Sequence, residues 1–88
     1  MIEKTLIVRN HNGIHAKPAG MIVRIAGQYQ ASAELVFKGQ TIDAKKIMQL
    51  MSFIIPGGAE LKLICRGPDE KPLSDQLEAL FADGFGEE

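Results

Sequence analysis

The chain has no tryptophan, one tyrosine and a single cysteine among its 88 residues. It also lacks any run approaching the ~20 apolar residues that a membrane-spanning helix needs. Each shortage excludes something. Cys65 cannot form an internal disulfide, and an unpaired thiol suits a reducing compartment, so a cytoplasmic location is expected. Met1-Ile2-Glu3-Lys4-Thr5 has no basic segment leading into an apolar stretch, so neither export nor membrane insertion is expected. Lys and Arg number 10 against 11 Asp and Glu, which leaves no global field to draw in nucleic acid or anionic lipid. With four Phe, one Tyr and no aromatic-rich strand, base stacking of the RRM kind is a poor fit, although the order of elements below would allow that scaffold.

What is present is ordinary globular composition, 45% hydrophobic and 24% charged. A chain of this length can bury roughly 60 to 65% of its unfolded surface in one core, so a single domain over residues 1–88 is expected. No repeat or low-complexity segment interrupts it. Thr5-Leu6-Ile7-Val8 reads as a strand closed by the loop Arg9-Asn10-His11-Asn12-Gly13. From Ala16 to Gln28, Ala19, Ile22, Val23 and Ala26 recur at helical spacing. Ala33, Leu35 and Phe37 alternate with polar or smaller neighbours, and Lys38-Gly39 turns the chain into a short strand around Thr41 and Ile42. Lys45 to Ile55 reads as a short helix stopped by Pro56-Gly57-Gly58, and Leu61, Leu63 and Cys65 alternate as a last strand. Pro72 fits the first turn of a helix that gathers Leu73, Leu77, Leu80 and Phe81 on one face. The tail Gly84-Phe85-Gly86-Glu87-Glu88 reads as frayed. The order is β-α-β-β-α-β-α, and three amphipathic helices need one shared apolar surface, so the class is α+β with helices on one face of an antiparallel-rich sheet.

The segment Asn12-Gly13-Ile14-His15-Ala16-Lys17-Pro18-Ala19 carries the chemistry. A glycine-containing turn delivers His15 to the start of the first helix, where unpaired N–H groups and the macrodipole make a site for an anion. Pro18 in the first turn breaks no helical bond, which leaves the N–H groups of Ala16, Lys17 and Ala19 as donors. A phosphoryl group on His15 would sit against them, near the Lys17 ammonium. The same positive surroundings favour a neutral, nucleophilic ring, so no general base is required. Taken as an isolated residue, a histidine here reads first as a helix cap; Gly13, Lys17 and Pro18 together favour the phosphoryl reading. No cofactor and no metal are expected: His11 and His15 are four apart, but Asn12-Gly13 between them opposes a helix and no further ligand completes a set. His11 reads as a solvated loop residue and Cys65 as a buried core thiol.

Gly13-Ile14-His15-Ala16-Lys17-Pro18-Ala19 resembles the phosphoacceptor signature Gly-Leu-His-Ala-Arg-Pro-Ala of the HPr family, the histidine-containing phosphocarriers of the sugar phosphotransferase system. Ala44-Lys45-Lys46-Ile47-Met48 resembles the family's Lys-Ser-Ile-Met segment, and Gly57-Gly58-Ala59-Glu60 its Lys-Gly-Ala-Glu turn. The resemblance runs the whole length of the chain. It implies an open-faced β-sandwich, a four-stranded antiparallel sheet with three helices on one face. It further implies a carrier rather than an enzyme, with the phosphoryl group on Nδ1 of His15, enzyme I as donor and the IIA domains of sugar permeases as acceptors.

Two departures stand out. Lys17 replaces the usual arginine, keeping the charge but losing the planar fork that grips two phosphate oxygens. Lys46 replaces the serine that a dedicated kinase phosphorylates in many Gram-positive members, so that control is expected to be absent; Ser52, the nearest alternative, falls inside the apolar helix. Together they keep open a second reading, a regulator or a member of a parallel relay outside sugar uptake. On the first helix Lys17, Gly20, Met21, Arg24 and Gln28 share the side opposite the core, which suits a partner that is acidic around its own histidine. The second helix is apolar all round, and the resemblance turns Ile47, Met48 and Met51 outward as an adaptable docking patch.

Overall fold

The computed structural model describes residues 1–87. Its elements are β1 (Ile2–Ile7), α1 (Ala16–Ala26), β2 (Ser32–Phe37), β3 (Gln40–Asp43), α2 (Ile47–Met51), β4 (Glu60–Arg66) and α3 (Glu70–Ala82), followed by a turn of 3-10 helix at Gly84–Gly86. The strands form one antiparallel sheet in the order β1-β4-β2-β3. Leu61, Leu63 and Cys65 of β4 lie opposite Leu6, Lys4 and Ile2 of β1 and, on the other side, Leu63 and Cys65 lie opposite Leu35 and Ala33 of β2. Strict alternation thus sends Leu35, Ile42, Leu61, Leu63 and Cys65 to one face, where they are buried under the helices, while Glu3, Glu34, Lys62 and Arg66 stay on the open face. Ion pairs Lys62–Glu3 at 3.0 Å and Arg66–Glu34 at 3.5 Å cross adjacent strands there. Lys38 and Gly39 both take positive φ, 51° and 78°, the mirror-image turn whose twist suits a two-residue hairpin.

α1 contributes Ala19, Ile22 and Ala26 to the core, α2 contributes Leu50, and α3 contributes Leu73, Leu77 and Phe81. Four places differ from the sequence reading. β1 begins at Ile2 and ends at Ile7 rather than spanning Thr5 to Val8, because its pairing with β4 starts at Ile2–Cys65 and closes at Ile7–Glu60. α1 ends at Ala26 rather than Gln28, because Gly27 closes it and Gln28 and Tyr29 bond only as a looser final turn to Ile25 O and Ala26 O. α2 covers Ile47–Met51 rather than Lys45–Ile55. Ser52 caps its end instead of lying within it, and Ile55 leaves the helix so that its carbonyl can accept the Ile14 N–H at 2.9 Å. The tail is not frayed through Glu87: Gly84 and Phe85 are buried, and Glu87 is bonded to the body of the protein, while Glu88 lies outside the described residues. Cys65 is buried in the core, and burial pushes its thiol pKa up. His11 is exposed.

Candidate functional site

The loop ahead of α1 is pinned at three points. Ile14 is buried and its N–H reaches Ile55 O; Asn10, itself buried, donates from Nδ2 to Gly13 O at 2.8 Å; and Gly13 takes φ +71°. A side chain at Gly13 would place Cβ 2.1 Å from Ile55 O, so only glycine lets the loop close against the Ile55–Pro56 backbone. This geometry delivers His15 as the N-cap of α1 with extended backbone, φ −100°, and with no capping hydrogen bond from its side chain. The helix-cap reading of this histidine therefore uses its backbone alone; the ring is free for other work and its side chain is 41% exposed.

The first turn of α1 offers fewer donors than the sequence reading counted. Ala19 N–H is taken by His15 O at 3.0 Å, as the first bond of the helix. Pro18 is buried and has no N–H. Ala16 and Lys17 remain, both exposed, with no hydrogen bond from either N–H among the described residues. No acidic residue occupies this first turn, so nothing on the helix itself neutralises its positive end.

Glu87 is the residue that sequence reasoning missed. Its carboxylate faces His15 Nε2, with Oε2 at 3.0 Å and Oε1 at 3.3 Å, and Oε1 also accepts from Asn10 Nδ2 at 2.9 Å. The Asn10 hydrogen bond, then the His15 one, hold the Glu87 carboxyl below the usual glutamate range, and Lys17 adds to the effect. The expected surroundings of His15 were positive only; the structure adds a negative charge at Nε2 and leaves Nδ1 without a hydrogen bond among the described residues. The signal in the sequence was weak, since Glu87 is 72 positions away in a glycine-rich tail.

The remaining candidates fall on two neighbouring helices, α1 and α2. On α1 Arg24 is exposed and Gly20 and Met21 are half-buried. On α2 Ile47 and Met51 are exposed, and Met48 is 79% exposed. Ile54, just beyond α2, is 91% exposed and joins them, a residue the sequence reading had not separated from its apolar neighbours. Lys46 is the N-cap of α2, with extended backbone and no side-chain cap. Among the described residues no cluster of three His, Cys, Asp or Glu side chains is placed to hold a metal ion, and no helix is long and apolar enough to cross a membrane.

An open-faced α+β sandwich with a half-exposed histidine at the head of a helix is the frame of a small phosphoryl carrier. A family model described as the PTS HPr component phosphorylation site matches residues 2–83, and the chain belongs to this HPr family of phosphotransferase-system phosphocarriers. It is 39% identical over 88 residues to phosphocarrier protein HPr of Treponema pallidum, a match covering the whole of both chains. It is 34% identical over 79 residues to the HPr-like protein Crh of Bacillus subtilis, covering 90% of this chain and 93% of that one. Among solved structures, HPr-C-His from Thermoanaerobacter tengcongensis superposes with a TM-score of 0.95 at 33% identity, over 100% of this chain and 99% of the other.

Proposed function

We propose that this phosphocarrier takes its phosphoryl group on Nδ1 of His15, receiving it from enzyme I and passing it to IIA domains of sugar permeases in the cytoplasm. The observation that carries this reading is the division of labour on the ring: Nε2 is engaged by Glu87, so the neutral imidazole keeps its lone pair on Nδ1. That pair attacks the phosphorus of the donor's phosphohistidine. The new P–N bond forms as the donor's P–N bond breaks, and the electron pair of the broken bond returns to the donor nitrogen. The N–H groups of Ala16 and Lys17 and the Lys17 ammonium receive the phosphoryl oxygens, so transfer needs positioning and charge stabilisation rather than a further base. Lys17 serves here as a point charge, without the bidentate grip of arginine. Gly20, Met21 and Arg24 on α1 with Ile47, Met48 and Met51 on α2 supply the docking face, an apolar patch beside a cation.

Incubation with enzyme I and phosphoenolpyruvate, read by intact mass, tests the reading. One phosphoryl group is expected, labile to acid and stable to base, absent in His15→Ala and retained in His11→Ala. A labelled His15→Ala chain would refute it. The second reading, a relay outside sugar uptake, is favoured by Lys17 and Lys46 together. Transfer from the labelled chain to a purified sugar-permease IIA domain separates the two.

A further inference from the structure

We infer that the open cleft at the end of β1 is a binding site for a small polyol phosphate, separate from the phosphoryl site on His15. The cleft has a volume of about 420 Å³ and lies between the segment that leaves β1 and the Gly57–Gly58 turn. That volume is within the usual span of small-molecule sites. None of His15, Ala16 and Lys17 lines it. Alternation of extended backbone builds its wall: Val8 and Asn10 are buried, so Ile7, Arg9 and His11 stand exposed between and beyond them. The facing turn is locked to this wall. Gly58 N–H donates to Val8 O at 2.7 Å and Val8 N–H to Ala59 O at 2.9 Å, while a Cβ at Gly57 would stand 2.3 Å from Asn10 O and 2.7 Å from His11 O. Wall and turn thus meet backbone to backbone, and the cleft is a fixed feature of the fold.

Three features select the ligand. Arg9 forms no ion pair among the described residues; Glu78, which borders a neighbouring groove with it, is bonded to Lys4 at 2.8 Å instead. His11, two residues on, carries a ring N–H that can donate even when the imidazole is neutral. A guanidinium with an imidazole beside it suits the oxygens of a phosphate, and the Gly57 N–H across the cleft is a further donor without a hydrogen bond among the described residues. The second feature is Asn10. Its amide nitrogen is spent on Gly13 O and Glu87 Oε1, but its Oδ1 is buried with no donor, which is uncommon for a buried polar atom. A ligand hydroxyl at the base of the cleft supplies that donor, so the chemistry is that of a phosphorylated polyol rather than of bare phosphate. The third is Ile7, an exposed side chain that offers apolar surface to the carbon skeleton.

The test titrates ribose 5-phosphate into the 15N-labelled full chain, with ribose and inorganic phosphate in parallel. Saturable amide shifts are expected at Arg9, His11 and Gly57. Ribose 5-phosphate should reach half-saturation at about a tenth of the inorganic phosphate concentration, the gain from one further hydrogen bond, and ribose alone should shift nothing. Arg9→Gln changes an exposed side chain and should weaken binding about tenfold, with Arg9→Lys recovering part of the loss. His11→Gln is the second probe of the same wall and should weaken binding less. Lys17→Gln should leave the cleft shifts in place, because that side chain belongs to the His15 site. Shifts confined to Ala16 and Lys17 would assign the phosphate to the head of α1 and overturn the inference. Unchanged binding in Arg9→Gln and His11→Gln, or equal affinity for ribose 5-phosphate and inorganic phosphate, would overturn it as well.

Discussion

Phe85 meets Phe81 edge-on, ring centroids 4.8 Å apart and planes inclined at 61°. Phe85 reaches that contact only by adopting φ +58° between two glycines that are themselves left-handed, Gly84 at 63° and Gly86 at 73°. A bulky residue pays of order 1 kcal/mol or more for such a backbone, and burial of the ring is what offsets it. Phe85→Ala keeps the backbone cost and forfeits the burial. It should destabilise the protein by about 3 kcal/mol in urea denaturation, within the usual span for a core Phe→Ala change. A loss below about 1 kcal/mol would mean that the tail contributes little to the folded state.

Gly13 and Gly20 lie seven residues apart and should respond with opposite signs. At Gly13 a Cβ would collide with Ile55 O at 2.1 Å and Pro56 Cα at 2.9 Å, on a backbone with positive φ. Gly13→Ala should therefore cost about 3 kcal/mol or more and displace the loop that aims His15. At Gly20, inside α1, a Cβ meets nothing within 4 Å. Gly20→Ala should stabilise by about 0.5 to 1 kcal/mol, the helix-propensity gain. Thermal unfolding of the two variants in parallel checks the pair, and a stable Gly13→Ala protein would contradict the loop geometry.

The strands were legible because alternation is a short-range signal: Leu61, Leu63 and Cys65 declare their face without reference to the rest of the chain. His15 was legible for the same reason, since Gly13, Lys17 and Pro18 are its sequence neighbours. Two features were not. α2 stops at Met51 although apolar residues continue to Ile55, because the Ile55 carbonyl is claimed by Ile14, some forty residues away, and local periodicity carries no trace of that bond. The tail contains two glycines and two glutamates around one aromatic, a composition that reads as loose; only the pocket beside Phe81 gives Phe85 a reason to be ordered. Glu87 comes into place with it.

Asp69 should make stability fall in acid. Although it is the N-cap of α3, its carboxylate caps the other connection, with Oδ2 accepting from Gln30 N–H at 2.9 Å and Oδ1 from Ala31 N–H at 2.7 Å. The Gln30 bond first, and the Ala31 bond after it, hold its pKa below the ordinary aspartate value. The folded protein thus binds this proton more weakly than the unfolded chain, so the contribution is full above about pH 5 and fades as pH drops through about 3.9 and below. In Asp69→Asn one of the two N–H groups faces an NH₂ instead of an acceptor. The stability gap between parent and Asp69→Asn, measured by urea denaturation, should be open at pH 7 and narrow progressively towards pH 3. A gap independent of pH would show that the carboxylate charge is not what these N–H groups require.

Lys46 marks a place where the chain forgoes stability. It is the N-cap of α2 with φ −119° and ψ 105°, the extended backbone a capping residue adopts, yet its side chain caps nothing. α2 has five residues and no acidic side chain in its first turn, so the N–H groups of Met48 and Gln49 point towards a lysine that has no acceptor to offer and whose charge opposes the dipole. Serine at this position has the oxygen for the Gln49 N–H. Lys46→Ser should therefore stabilise the protein by about 0.5 to 1.5 kcal/mol, the sum of a gained cap and a removed charge. The same exchange should create an acceptor for the serine kinase that acts on other members of the family, with the exposed Met48 two residues on intact. The parent, given kinase and ATP, should gain no mass. Ser52 is exposed, but its hydroxyl donates to Gln49 O at 2.7 Å at the opposite end of α2, facing the negative end of the dipole where a phosphate would be repelled. Phosphoryl transfer through His15 should survive the exchange, because Lys46 contributes no atom to that site. Denaturation of both forms and intact mass after kinase treatment decide the matter: a Lys46→Ser protein less stable than the parent, or a parent labelled at Ser52, would show that the start of α2 does not behave as a helix N-terminus.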